Sequence, residues 1–216
     1  MTGGRPERTP TAAVLLAGAL VGWSFTAGIR QPWRRHPVFQ AGLGTALASA
    51  TRAPLGLRPP AAGAGLRLGA AVACVVTAGI AAATALPPVR AAMADRETPH
   101  RTWRWLAIEI PLGTVWSEET AFRGALATAG ASAFGPAGGR LLQALTFGLS
   151  HIPDARATGA RSAGTIGVVA VTGAAGWVFA LLAERSGSLI APVLAHLAVN
   201  EAGAVAALAV RRRAGV

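Results

Sequence analysis

Three stretches of the chain, 9–29, 68–89 and 162–183, run without a single charged residue. Each exceeds the roughly 18 consecutive apolar residues that mark a bilayer-spanning helix. Elsewhere shorter apolar runs alternate with polar punctuation. "RQPWRRHP", "TRAPLGLRPP" and "PPVRAAMADRETPHR" read as polar connections, and "ERSGS" as a tight turn. The pattern predicts seven helices, roughly 11–29, 37–51, 68–86, 104–128, 140–153, 162–184 and 188–210. The second and fifth are short for a full span, so each is expected to be re-entrant, tilted or buried by its neighbours. Period-2 alternation is absent, which argues against a β-barrel. The expected fold is all-α: a polytopic helical membrane protein with about seven (six to eight) transmembrane helices. Residues 1–216 are expected to form a single integral-membrane domain, multi-pass in the plasma membrane.

Composition supports this class. The chain is 52% hydrophobic and 13% charged, against about 25% charge in soluble domains. All 20 basic residues are arginine, in a chain rich in Ala, Gly and Pro. This bias is expected of a GC-rich, bacterial genome. A net charge of +11 invites a nucleic-acid reading. Placement excludes it: 19 of the 20 arginines lie between or beyond the apolar segments, as topology signals and lipid-headgroup contacts. The loops 30–36, 87–104 and 154–161 and the tail 211–213 hold 12 of them; the N-terminus and the other loops hold 7. The positive-inside rule then puts the C-terminus in the cytoplasm, and the N-terminus outside if there are seven spans. Arg5 and Arg8 precede the first apolar run, which is expected to stay as an uncleaved first helix rather than a signal peptide. Trp103 and Trp105 fit an interfacial belt. Cys74 stands alone, so there is no internal disulfide. No internal repeat supports an inverted-repeat transporter.

The twentieth arginine is Arg123, in "WSEETAFRG". That stretch puts Glu118, Glu119 and Arg123 into an otherwise apolar helix, beyond Glu109. The fifth helix carries His151, and the last carries His196, Asn200 and Glu201. An ionisable group at membrane depth costs about 2.5–3.5 kcal/mol on insertion scales, so such groups face a protein interior or a water-filled cavity. Glu119 and Arg123 are i,i+4 with the acid first, the favourable order for an ion pair. At about 100° per residue, residues 118, 119, 122 and 123 share one side of a helix. His196 and Asn200 also share a face. Each has a purely structural reading: a buried ion pair for Glu119–Arg123, an interfacial residue for His151, interhelical hydrogen bonding for His196 and Asn200. Glu109 and Glu201 read as interface or supporting residues. Together the polar groups make a hydrolytic constellation of carboxylates, imidazoles and an amide.

"EETAFRG" carries an EExxxR motif at Glu118, Glu119 and Arg123; "FGLSH" carries FxxxH at Phe147 and His151; "HLAVN" carries HxxxN at His196 and Asn200. In this order, each in an apolar helix, they resemble the CAAX-protease and bacteriocin-processing (CPBP, or Abi) family of intramembrane endopeptidases. The likeness covers about 118–203, including the Gly-Ser turn and Pro192. The resemblance implies proteolysis within the membrane, on a peptide or protein substrate held among membrane lipids. Substrates in the eukaryotic branch are prenylated CAAX proteins; bacterial relatives include proteins tied to bacteriocin self-immunity.

The resemblance also implies roles. Glu118 is the general base that activates water, with His151 positioning it or shuttling its proton. His196 and Asn200 donate to the oxyanion. Glu119 and Arg123 hold the helix face and tune the field. The alternative is a zinc enzyme with Glu118, His151 and His196 as ligands. The metal-free reading, with no cofactor, is preferred because a compact ligand motif such as HExxH is absent. Two other classes stand beside the protease: a catalytically silent membrane scaffold or immunity factor, and a transporter with a midplane polar site.

Overall fold

The structure, a computed structural model, describes residues 9–28 and 32–215. Arg5, Arg8 and Arg30 therefore lie outside the described residues. The described residues form helices joined by loops, without a β-strand among them. Helix α1 is Pro10–Ser24, α2 Pro37–Ala50, α3 Ala61–Thr84 and α4 Pro87–Asp95. A short turn α5, Thr102–Arg104, runs into two wide-turned helical segments with i→i+5 winding, π1 (Trp105–Trp116) and π2 (Glu119–Leu126). The chain continues as α6 (Ala127–Ser150), α7 (Ile152–Ala157), α8 (Ser162–Ser186) and α9 (Ile190–Ala214). Of these, α3, α8 and α9 have 24, 25 and 25 residues and are long and apolar enough to cross a membrane.

Local chemistry sets the boundaries. Thr9 caps α1 by accepting from the Ala12 N–H, and prolines open α1, α2 and α4, where a missing N–H costs nothing. The third helix starts at Ala61 rather than 68, because Arg67 sits at an exposed position of the helix and does not interrupt it. The connection expected at 87–104 contains α4, nucleated by Pro87 and Pro88. The run expected as 104–128 continues into α6, which breaks at Gly135 (φ 75°, ψ 170°), a conformation that L side chains avoid, followed by Pro136. That break folds α6 into a hairpin, and Gly130 and Gly139 let its limbs meet backbone to backbone.

Contacts fix the directions. α3 runs parallel to α9, with Gly65 against Ser188 and Gly69 against Ala191. The second limb of α6 runs antiparallel to α8, with Arg140 beside Glu184 and Gly148 beside Val169 and Gly173. α2 runs parallel to π1 and π2: Pro37 meets Gly113, Thr45 accepts from the Trp116 indole at 3.0 Å, and Ala48 meets Gly124. Small residues at these crossings let the backbones approach, as is usual among membrane helices. The 52–58 loop docks on the 187–189 turn through Leu189 N–H to the Leu55 carbonyl, 2.9 Å. At the opposite end, Arg211 donates to the carbonyls of Ala94 and Arg96.

The lengths are unequal. α1 and α2 have 15 and 14 residues, about 22 Å at 1.5 Å per residue. α3, α8 and α9 reach about 36 Å on the same measure. The short side of the bundle therefore leaves a recess beside the tall side.

Candidate active site

The recess reaches the polar residues. A cavity of about 290 Å³ lies between α1, α2, the π1–π2 junction and the end of α6. Leu16, Leu20, Leu43 and Leu47 form its apolar walls, and Glu118 and His151 both line it. Its rim carries the exposed residues Arg35 and Asp154. The wide-turned backbone around Glu118 is a rare winding that is frequent at functional sites. Gly44 of α2 keeps that backbone close, since a Cβ there would press on the Thr120 hydroxyl and lie 2.6 Å from the Ser117 carbonyl.

Behind Glu118 the charged groups form a chain. His196 Nδ1 is 2.8 Å from Glu119 Oε1, and its Nε2 is 3.9 Å from Glu118 Oε2. Arg123 Nη1 lies 3.3 Å from the same Glu119 oxygen, with both side chains fully buried. A carboxylate beside a guanidinium accepts, so Nδ1 of His196 donates to Glu119 and Nε2 is the nitrogen that meets Glu118. The distance of 3.9 Å is an ion-pair separation beyond hydrogen-bond range.

Aromatic rings enclose this chain. The Arg123 guanidinium carbon lies 4.0 Å from the Phe147 ring centre and 5.0 Å from that of Phe179. Phe179 also stacks on His196, 5.0 Å between centroids. None of the three guanidinium nitrogens has a hydrogen-bond partner in the protein. The Glu119 charge and the faces of the rings are what compensate this cation.

The motif residues divide into two groups. Glu118 and His151 are on the cavity; Glu119, Arg123 and His196 are packed behind Glu118. Asn200 does not line the cavity either, and its amide donates to the His196 carbonyl, 3.2 Å. His151 Nδ1 lies 2.7 Å from the Phe147 carbonyl and must donate to it, leaving Nε2 to meet water. Glu109 pairs with Arg104 at 3.0 Å on the surface, and one Glu201 oxygen is buried without a partner.

Phe179 is the site residue that the motifs do not announce. It sits in a Gly- and Ala-rich span, and only the crossing of α8 with α9 brings it to His196. The cavity walls from α1 and α2 were equally hidden, lying in the part of the chain without motifs. As for zinc, no three His, Cys, Asp or Glu side chains among the described residues converge as a ligand set. Nδ1 of His196 is engaged with Glu119, and Nδ1 of His151 with the Phe147 carbonyl.

A helical membrane protein with carboxylates and imidazoles gathered beside an open recess is thus defined by fold and site. Residues 100–202 match the family model of Rce1-like proteins, type II CAAX prenyl endopeptidases, so this motif-bearing region is similar to that family. Neither a curated protein nor a solved structure matches the chain.

Proposed function

We propose that the protein is an intramembrane endopeptidase that cleaves peptide bonds of membrane-associated polypeptides, using water activated by Glu118. The observation that carries this is a carboxylate on the wall of a 290 Å³ cavity that His151 also lines, with an imidazole nitrogen 3.9 Å behind it. The bare Nε2 of His151 accepts a hydrogen bond from the same water and orients its oxygen toward the scissile carbonyl.

Glu118 takes the water proton as the oxygen–carbon bond forms. His196, anchored by Glu119, stands 3.9 Å behind Glu118 and holds the carboxyl group in place as it takes up the proton. The proton then goes to the leaving amine. Arg123 pairs with Glu119, and Glu119 holds the ring. Asn200, tied to the His196 carbonyl, braces the turn of α9 that carries the imidazole. This reading needs no metal.

We also propose seven crossings. α1, α3, the second limb of α6 and α9 run one way, and α2, the π segments and α8 the other. This sorts the loops into the same two groups as the arginine totals. The cavity then opens toward the arginine-rich, cytoplasmic side, in a plasma membrane thinned beside the short helices.

The test is Glu118→Gln in purified protein, assayed by cleavage of a panel of membrane-anchored peptides. Cleavage should fall by about 10²–10⁴, the usual contribution of a positioned base, with the fold intact. Full activity in this variant would refute the mechanism. Inactivation by a zinc chelator, restored by zinc, would replace it with the metal alternative. A wild-type protein that cleaves nothing would favour the scaffold.

A further inference from the structure

On the far side of the bundle, α3 and α9 enclose a second feature. A groove of about 350 Å³ runs between them, walled by Thr77, Ile80, Ala202, Val205 and Ala206. It continues into a wider cavity of about 730 Å³ beneath α4, with which it shares Ala81, Thr84, Val210 and Arg213. Arg90 and Arg213 line the wider part. Both are exposed, and neither has a carboxylate partner among the described residues. Arg90 is held in place by donating to the Ala85 carbonyl at 3.0 Å, which uses only one of its nitrogens. The Arg211 contacts to Ala94 and Arg96 bring the 90–96 and 211–213 stretches together, gathering five arginines at this end.

We propose that this groove is a binding site for one anionic phospholipid. An acyl chain lies between α3 and α9, and the headgroup phosphate sits between Arg90 and Arg213. Three observations argue for this occupant. The groove lies along two helices long and apolar enough to cross a membrane, and α3 is little covered by the rest of the chain. Its narrow part is lined mainly by small and apolar side chains. The cations lie at one end only, the end where the spans finish, which matches the polarity of a lipid rather than of a peptide or a soluble anion. Guanidinium forks suit phosphate oxygens.

Native mass spectrometry of the detergent-purified protein, titrated with phosphatidylglycerol or with phosphatidylcholine of the same chains, tests this. One phosphatidylglycerol should bind in clear preference. Arg90→Gln with Arg213→Gln should weaken it about 30-fold, from about fivefold per arginine near a headgroup, and leave phosphatidylcholine binding unchanged. Ala209→Trp, at an exposed position on the groove wall, should block both lipids. Arg52→Gln with Arg58→Gln, at the opposite end, should change nothing. Glycerol phosphate alone should not compete. Equal binding of the two lipids, retention of the preference in the Arg90/Arg213 variant, or competition by glycerol phosphate would overturn the proposal. So would a dimer that Ala209→Trp dissolves, which would give the groove to a second copy of the chain.

Discussion

Replacing Arg123 by alanine removes the cation from the most buried part of the site. At 3.3 Å and an effective dielectric of about 20, the Glu119–Arg123 attraction is about 5 kcal/mol. Breaking a buried pair by deleting one partner costs about 3–5 kcal/mol, because the other charge is left uncompensated. The two figures agree in size. In a chain of 216 residues, each kcal/mol shifts a melting temperature by about 2–4 °C. Arg123→Ala should therefore melt roughly 6–20 °C below the parent in detergent. The double variant Glu119→Gln with Arg123→Met separates charge from packing. It removes both charges, keeps an acceptor for His196 Nδ1 and fills the space between Phe147 and Phe179. It should recover most of the lost stability while remaining impaired in cleavage, because His196 loses its anionic anchor. The assay is thermal unfolding of both variants in one detergent. The reasoning fails if Arg123→Ala melts within 2 °C of the parent, or if the double variant melts as low as the single one.

Phe179→Leu should lower kcat several-fold with KM little changed, and Phe179→Tyr should restore it, as steady-state cleavage kinetics would show; the ring, stacked 5.0 Å from His196, positions the imidazole and does not touch substrate. Asn200→Ala should cost less activity than His196→Ala in that assay, because the amide donates to the backbone carbonyl of His196 and does not line the cavity. Gly44→Ala should destabilise by about 1–3 kcal/mol through overpacking against Ser117 and Thr120. Gly42→Ala on the same helix, where a Cβ meets nothing within 4 Å, should instead stabilise by up to about 1 kcal/mol; thermal melts of the pair check both.

The sequence by itself carried the helical class, because unbroken apolar runs leave the backbone no partner in lipid but itself. It also marked Glu118, Glu119 and Arg123 as one cluster, since a few residues along a helix bring side chains to one side whatever the winding. Spacing could not say what each acid meets across the bundle. Glu118 faces a cavity and Glu119 an imidazole only because α9 crosses the π segments at His196 and α1 and α2 leave a cavity beside Glu118. Those are long-range placements set by small residues such as Gly44, Gly65 and Gly69, where a single Cβ would change the approach. The first helix read as a full span in the sequence and the second as a short one; in three dimensions α1 and α2 have 15 and 14 residues, and their shortness opens the recess to the site. Phe179 had no pattern to mark it, because an aromatic in an apolar span is indistinguishable from a lipid-facing one until its neighbours are known. The Gly135–Pro136 break was legible as two residue types, but that it folds α6 back as a hairpin depended on Gly130 and Gly139 meeting across it.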